Sequence, residues 1–317
     1  MRSNVTFKSN NLKLAGHLYL PDDYKKGEKR PAIVVSHPFG GVKEQTAGLY
    51  AKKLSEKGFI TLAFDASYQG ESEGEPRYLE DPFARAEDIK SAVSFLEAQD
   101  EVDEQGIGAF GVCASGGYVP FAAQTDLRIK AVATVSGADM GDLFRKGLNT
   151  SIAPNLDHLL EESNKARTEE ARGQPPRKEH IVPNTPEEIP KDTPPGGLYR
   201  EGTDYYRTPR AQHPNSPNWF LLKSVDQIAE YSSYEHVDMI SPRPLLMIAG
   251  TKADTRFYSE MAIDKAKEPR ELFLIDGATH IDLYDRDKYV TSAVEKMSSF
   301  FKQYLQSANK SPRGGRQ

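Results

Sequence analysis

Apolar residues are grouped along the chain in short runs that alternate with longer amphipathic segments. Two runs of alternating polarity, residues 5–8 and 12–20, flank Asn10-Asn11 and predict a hairpin. Apolar runs typical of buried strands occupy residues 32–36, 59–64, 107–112, 130–136, 244–249 and 271–275. Helical patterns lie between them at residues 45–57, 82–99, 114–124, 259–267 and 288–305. This alternation predicts an α/β fold with a mostly parallel, twisted sheet that has helices on both faces.

The alternation of strands and helices breaks between residues 139 and 235. This stretch is rich in proline and charge, and residues 175–195 are especially poor in apolar side chains. Because a structureless loop of this length is uncommon in a compact domain, we predict an inserted lid that carries some helices. A partly disordered insertion without a role in the site is the alternative. The predicted core is residues 1–138 and 236–306, and the tail at 307–317 is predicted to be disordered.

Composition narrows the classes of function. A formal net charge of -5 gives no electrostatic basis for nucleic-acid binding, so we predict no nucleic-acid partner. No run approaches the roughly 18 apolar residues of a membrane span, and the polar N-terminus lacks the apolar core of a secretory signal. We therefore predict a cytoplasmic protein without a membrane partner. The single cysteine excludes an intrachain disulfide and a cysteine-rich metal site, and we predict no metal and no cofactor.

Candidate chemistry lies in the turn after the strand at 107–112. Cys113 follows this strand directly, between the small residues Gly111 and Ser115. This spacing is typical of a nucleophile elbow, in which strand and helix approach closely and lift one side chain above the sheet. The helix N-terminus beside it lowers the pKa of a thiol. Ser115 is the rival nucleophile, but the apolar strand ends at Val112 and favours Cys113. A buried structural cysteine is the remaining alternative.

A nucleophile of this kind needs a base, and the base needs an acid that orients it. His280 lies in the turn after the last predicted strand, where the fold that carries such elbows keeps its histidine. Asp254 is the carboxylate in the turn after the strand at 244–249, and Asp226 and Asp238 are weaker alternatives. Five other histidines lack a comparable position: His17, His158, His180, His213 and His236.

The loop at residues 37–41 is the candidate site for stabilising negative charge on a substrate oxygen. It follows the third strand, where this fold supplies one backbone donor of an oxyanion hole. Pro38 has no N–H, so the predicted donors are Phe39 and, from the elbow, Ala114, with Gly40 as the fallback. We interpret His37 as a residue that holds the loop in place.

Three aromatic residues are predicted to line a substrate pocket. Trp219 and Phe220 precede two leucines in the insertion, and they are candidates for an apolar acyl pocket. A place in the core of the lid itself is an equal alternative for both. Tyr68, in the loop that follows the strand at 59–64, is the third candidate.

These motifs resemble the dienelactone-hydrolase-like branch of the α/β-hydrolase superfamily. Residues 111–117, Gly-Val-Cys-Ala-Ser-Gly-Gly, are similar to the family's Gly-x-Cys-x-Gly-Gly elbow, with a serine added. Residues 64–72 are similar to the superfamily's Asp-x-x-Gly-x-Gly-x-Ser loop. Segments 253–256 and 279–284 look like those of bacterial hydrolases of unassigned substrate and of fungal polyketide transferases and thiohydrolases. The similarity covers both parts of the core well and the insertion weakly.

The resemblance implies an α/β-hydrolase fold in which Cys113, His280 and Asp254 are nucleophile, base and acid. It implies acyl transfer from a small-molecule ester or acyl thioester, free or bound to a carrier protein, to water or an alcohol. The large insertion departs from true dienelactone hydrolases, so specificity for small lactones does not follow. The leading prediction is a hydrolase with an acyl-cysteine intermediate. The alternatives are an acyltransferase that moves a polyketide chain in secondary metabolism and a non-catalytic ligand-binding member of the fold; a homo-oligomer is left open.

Overall fold

An eight-stranded sheet forms the centre of the protein. The computed structural model describes residues 1–148, 155–191 and 193–306, so the tail predicted to be disordered lies outside the described residues. The strands of the large sheet are β1 (Arg2–Ser9), β2 (Leu12–Tyr19), β3 (Arg30–Ser36), β4 (Ile60–Phe64), β5 (Val102–Val112), β6 (Ala131–Val135), β9 (Leu245–Gly250) and β10 (Arg270–Ile275), and a small sheet pairs β7 (Lys178–His180) with β8 (Trp219–Leu221).

The large sheet has the order β1-β2-β4-β3-β5-β6-β9-β10. Its first two strands form the predicted antiparallel hairpin, and β2 joins β4 in antiparallel register. All later pairs are parallel. Every residue of β4, β6 and β9 is buried, as expected for central strands covered on both faces. The predicted fold class is confirmed.

Helices cover both faces of the large sheet. They are α1 (Thr46–Ser55), α2 (Pro82–Glu97), α3 (Ser115–Thr125), α4 (Met140–Lys146), α5 (Leu156–Ala171), α6 (Leu198–Arg207), α7 (Ser224–Glu230), α8 (Arg256–Lys265), α9 (Asp282–Asp285) and α10 (Asp287–Leu305). Helices α1 and α10 contact each other on one face, and α2 contacts α3 on the other. Within the described ranges, no helix combines the length and apolar character needed to cross a membrane.

The segment predicted as a lid carries α4 to α7 and the small sheet, between β6 and β9. It is bonded to the core at several points. Ser216 Oγ donates to the Gly40 carbonyl at 2.6 Å, and Gln45 Nε2 donates to the Ala211 carbonyl at 2.8 Å. These bonds seat the insertion over the loop that follows β3. The exact division into core and lid stays a prediction.

A tight turn joins β5 to α3. Cys113 adopts the left-handed backbone conformation, with φ of 58°, which is uncommon for a residue other than glycine. A Cβ atom on Gly111 would lie 1.9 Å from the Ser115 carbonyl oxygen, and one on Gly116 would lie 2.5 Å from Gly137 Cα. The glycines are therefore needed for close approach of the backbone segments around the turn.

We expect the Gly111→Ala substitution to lower the free energy of unfolding by about 3 kcal/mol or more, because its Cβ meets rigid backbone. Gly173→Ala is the matched control. Gly173 has a φ of 86° but no atom within 4 Å of the added Cβ, so only the backbone strain of about 1 kcal/mol applies. Chemical denaturation of both variants measures the difference. Equal losses would contradict the close approach at the turn.

Candidate active site

The residues predicted to carry chemistry meet at one edge of the sheet. Phe39 follows β3, Cys113 follows β5, Asp254 follows β9 and His280 follows β10. Because these strands are mutually parallel, their carboxyl ends lie at the same edge, which is where open α/β sheets bind ligands. A cavity of about 400 Å³ opens there, and its walls include Phe39, Cys113 and Asp254.

The Cys113 thiol is nearly buried at the base of this cavity, with 8% of the residue exposed. Burial raises the pKa of the thiol above its ordinary value. The Tyr284 hydroxyl and the backbone N–H groups of Ala114 and Phe39 act in the opposite direction, because each favours the thiolate. Both residues predicted to donate to an oxyanion therefore lie near the thiol.

The imidazole of His280 is fully buried. Its Nδ1 lies 2.5 Å from Thr255 Oγ1, and its Nε2 lies 3.3 Å from the hydroxyl of Tyr284. Burial lowers the pKa of His280 to about 3, so the ring is neutral at physiological pH. The resting site consequently holds a neutral thiol and a neutral imidazole.

Asp254 lies in the cavity wall, but its contacts differ from those expected of an orienting acid. Its Oδ2 accepts a hydrogen bond from the Leu198 N–H at 2.8 Å, and its Oδ1 has no hydrogen-bond partner among the described residues. Burial raises the pKa of this carboxyl, and the Leu198 N–H acts in the opposite direction. The partner of His280 Nδ1 in the structure is Thr255, the next residue along the chain.

The alternative acids are engaged elsewhere. Asp226 forms a two-pronged ion pair with Arg167, at 2.6 and 2.7 Å. Asp238 pairs with Lys267 at 2.9 Å. Both pairs are at least partly exposed, and neither carboxylate lines the cavity.

The rival nucleophile, Ser115, is held beneath the turn. Its side chain is fully buried, and its Oγ lies 2.5 Å from the carbonyl oxygen of His37, to which it donates. The same Oγ accepts a hydrogen bond from Arg85 Nη2 at 2.8 Å. This hydroxyl therefore belongs to a buried network, whereas Cys113 lines the cavity.

His37 bonds to backbone atoms through both ring nitrogens. Nδ1 donates to the Pro38 carbonyl at 2.7 Å, and Nε2 accepts from the Ala66 N–H at 3.1 Å. Burial lowers the pKa of this ring well below its ordinary value, which agrees with a neutral side chain. These contacts support the interpretation that His37 holds the loop in place.

Arg85 is a buried residue of the site that sequence analysis missed. Its Nη2 donates to the His37 carbonyl at 2.6 Å as well as to Ser115, so one guanidinium joins the loop after β3 to the start of α3. Its Nη1 lies 3.4 Å from Glu80 Oε1, which supplies the balancing charge. The sequence did contain a signal for this residue: Arg85 is a charged residue on the apolar face of α2, in line with Ile89 and Leu96.

Tyr284 is the second missed residue, and it lies four positions after His280. Such spacing places two side chains on the same side of a helical segment, and α9 begins at Asp282. The tyrosine is 1% exposed, and it lines the cavity together with Cys113. The spacing from His280 was visible in the sequence, but the proximity to the thiol was not.

The roof of the cavity comes from the insertion and is mostly apolar. Its apolar residues include Leu143, Phe144, Leu148, Ile181, Val182 and Phe220. Phe220 is the one predicted pocket residue of the three that lines it. Trp219 instead stacks on His180 with ring centroids 4.2 Å apart, since successive strand residues point to opposite faces. Tyr68 lies outside the cavity wall, in the loop that follows β4.

Three carboxylates converge away from the cavity, from Glu44, Asp65 and Glu71. The Lys43 ammonium lies 2.6, 2.8 and 2.7 Å from them, in that order. The cation that this group holds is therefore a lysine side chain of the protein, and its ion pairs with Asp65 and Glu71 join the loop after β3 to the loop after β4.

Comparison with known proteins agrees with this architecture. The sequence model of the dienelactone hydrolase family matches residues 14–158. The protein YcjY of Escherichia coli (strain K12) is 40% identical over 311 residues, which cover 96% of this chain and 100% of that protein. The crystal structure of PA2218 from Pseudomonas aeruginosa superposes with a TM-score of 0.88 at 37% identity, covering 96% of this chain and 94% of that chain.

A functionally named relative also matches along most of the chain. The polyketide transferase grgF of Penicillium sp is 26% identical over 308 residues, covering 96% of this chain and 97% of that protein. Its crystal structure has a TM-score of 0.80 at 22% identity, a likeness that concerns the fold. Together these matches identify an enzyme of the hydrolase and acyltransferase type, and the chain belongs to the dienelactone hydrolase family of α/β hydrolases.

Proposed function

We propose that the chain is an ester or thioester hydrolase that works through a covalent acyl intermediate on Cys113. One observation carries this proposal: Cys113 occupies the left-handed turn between β5 and α3 and lines the cavity together with Phe39. The backbone N–H groups of Phe39 and Ala114 lie near its thiol and act to lower the pKa of that group. Donors arranged around a nucleophile can hold the oxygen of a tetrahedral intermediate, and removing one such donor typically costs roughly 10²–10³ in rate.

His280 is the proposed base of the reaction. The sulfur of Cys113 attacks the acyl carbonyl, a C–S bond forms, and the thiol proton passes to His280 Nε2. The intermediate then collapses, the bond to the leaving group breaks, and the leaving group takes the proton from the imidazole. Water next gives a proton to His280 and attacks the acyl-cysteine, which releases the acid and restores the thiol.

The protonation states support proton transfer during attack, without a preformed ion pair. Burial raises the pKa of Cys113 and lowers that of His280 to about 3, so both groups are uncharged at rest. Charge then develops only when the carbonyl is attacked, where the two N–H groups can stabilise it. This favours a carbonyl carbon as the target over reagents that need a free thiolate.

The cavity supports an apolar acyl chain as the substrate group, because its roof is made of leucine, phenylalanine, isoleucine and valine side chains. A thioester suits a cysteine nucleophile, because the leaving thiolate and the attacking thiolate have similar basicity and the exchange needs little driving force. The proposal covers thioesters of small-molecule thiols as well as acyl groups bound to a carrier protein.

Acyl transfer to an alcohol is a second candidate function. Cys113 is only 8% exposed and lies beneath an apolar roof, which limits the access of water to the acyl-enzyme. The relative grgF is named a polyketide transferase, and its match covers nearly the whole chain. An alcohol that occupies the cavity would then take the acyl group in place of water.

The role of Asp254 as the orienting acid stays a prediction from the sequence. In the structure the direct partner of His280 is Thr255, at 2.5 Å, and Asp254 Oδ2 accepts from the Leu198 N–H. We therefore include Thr255 in the proposed site as the residue that fixes the imidazole ring.

The first prediction concerns the covalent intermediate. After mixing with p-nitrophenyl octanoate and an acid quench, we expect intact mass spectrometry to find one octanoyl group on the wild type and on Ser115→Ala, and none on Cys113→Ala. The reason is that Cys113 lines the cavity and Ser115 does not. Adding an alcohol separates the two candidate functions, because a transferase would form an ester product. An adduct lost in Ser115→Ala and kept in Cys113→Ala would refute the assignment.

The second prediction concerns the orientation of His280. Thr255→Val keeps the side-chain shape but removes the hydroxyl, and we expect kcat to fall about tenfold, as for the loss of one hydrogen bond. Asp254→Asn keeps an acceptor for the Leu198 N–H and removes the charge, and we expect a smaller loss of kcat. Steady-state kinetics on p-nitrophenyl octanoate measures both. A loss of about 10⁴ in Asp254→Asn would instead identify it as the orienting acid.

A further inference from the structure

The Tyr284 hydroxyl lies near both groups that must exchange a proton. Its distance to His280 Nε2 is 3.3 Å, and it shares the cavity wall with Cys113, where its hydroxyl acts to lower the pKa of the thiol. A distance of 3.3 Å is long for such a bond, and bonds of this kind commonly shorten when substrate binds. The His280 nitrogen that does not bond to Thr255 therefore contacts the hydroxyl of a residue that shares the cavity wall with Cys113.

We propose that Tyr284 is a catalytic residue that relays the Cys113 proton to His280. This proposal rests on the proposed function, because the relay operates during attack of the thiol on an acyl group. It adds a third member between nucleophile and base, and it assigns a chemical role to a residue outside the predicted set of Cys113, His280 and Asp254.

The proton transfers balance without any further reagent. As the C–S bond forms, the thiol proton moves to the Tyr284 oxygen, and the phenol proton moves to His280 Nε2. The tyrosine is neutral before and after the step, so a free phenolate is not required. His280 becomes an imidazolium whose Nδ1–H donates to Thr255 Oγ1, and the proton returns by the same path to the leaving group.

The fold holds the Tyr284 ring firmly in this position. The Tyr205 ring packs edge-on against it with centroids 5.1 Å apart. The preceding residue, Leu283, accepts a hydrogen bond through its carbonyl from the Tyr50 hydroxyl at 2.7 Å. Because ring and backbone are both restrained in a buried site, the hydroxyl is kept within reach of His280 Nε2 before substrate binds.

Tyr258 of α8 offers a matched control outside the cavity. Its hydroxyl is also buried, and by geometry it has no hydrogen-bond partner among the described residues. Tyr258→Phe thus removes a buried hydroxyl at a position that does not line the cavity. Tyr284→Phe and Tyr258→Phe retain the aromatic rings, so both should keep the packing of the protein, which thermal unfolding checks.

The test measures acylation and thiol ionisation in the two variants and the wild type. The burst of p-nitrophenol from p-nitrophenyl octanoate gives the acylation rate, and we expect Tyr284→Phe to lower it about 100-fold, as for the loss of acid–base assistance. Tyr258→Phe should lose less than about threefold, a change near 0.6 kcal/mol. Alkylation by iodoacetamide against pH should shift to higher pH in Tyr284→Phe, since the hydroxyl lowers the pKa of the thiol.

The outcomes separate this proposal from the function on which it rests. Equal acylation rates in Tyr284→Phe and Tyr258→Phe would overturn the relay while leaving the acyl-cysteine intact. Slower acylation in Tyr284→Phe with an unchanged alkylation profile would also overturn it, because the hydroxyl would then act on the substrate and not on the thiol. Absence of an octanoyl adduct on the folded wild type would refute the proposed function itself.

Discussion

The left-handed turn at Cys113 is the constraint on which the rest of the site depends. With φ of 58°, the chain reverses between β5 and α3, and the sulfur is lifted to the edge of the sheet. The reversal is possible only because Gly111 and Gly116 let backbone segments approach closely. Arg85 then holds the turn against the neighbouring loop, through its bonds to Ser115 and the His37 carbonyl. The same buried network therefore sets the position of the Cys113 thiol and that of the Phe39 N–H group.

Burial determines the protonation states of Cys113 and His280. Cys113 and His280 are both shielded from water, so each is held in its uncharged form. A buried ion pair would carry a desolvation penalty of several kcal/mol per ion, which a neutral pair avoids. In the proposed reaction, charge must then be stabilised at the moment of attack, and preorganised N–H groups can do this with little reorganisation. In this proposal, the burial of His280 and the position of the Phe39 and Ala114 N–H groups near the thiol therefore serve the same reaction.

Sequence reasoning recovered the core because buried parallel strands are apolar on both faces and stand out as runs. It recovered the elbow because close approach demands small residues around Cys113. It did not recover α5, which buries only Ser163 and Ala166 and so has no apolar stripe to detect. Arg85 was missed because its partners are distant in the chain. Whether Asp254 or its neighbour Thr255 bonds to His280 depends on the geometry of the turn after β9, which the spacing of residues in the sequence does not determine.

Helix α6 of the insertion joins the shape of the cavity to the loops that carry the chemistry. Leu198, its first residue, lines the cavity and holds Asp254 Oδ2 through its N–H at 2.8 Å. Glu201, less than one turn later, accepts a hydrogen bond at 2.6 Å from Thr279, the neighbour of His280. A ligand that favours a different position of α6 must alter both contacts. The free energy needed to alter these contacts is then subtracted from the free energy of binding that ligand. Specific hydrogen bonds therefore couple the insertion to the turns that hold Asp254 and His280, and the sequence of the insertion influences the positions of both residues.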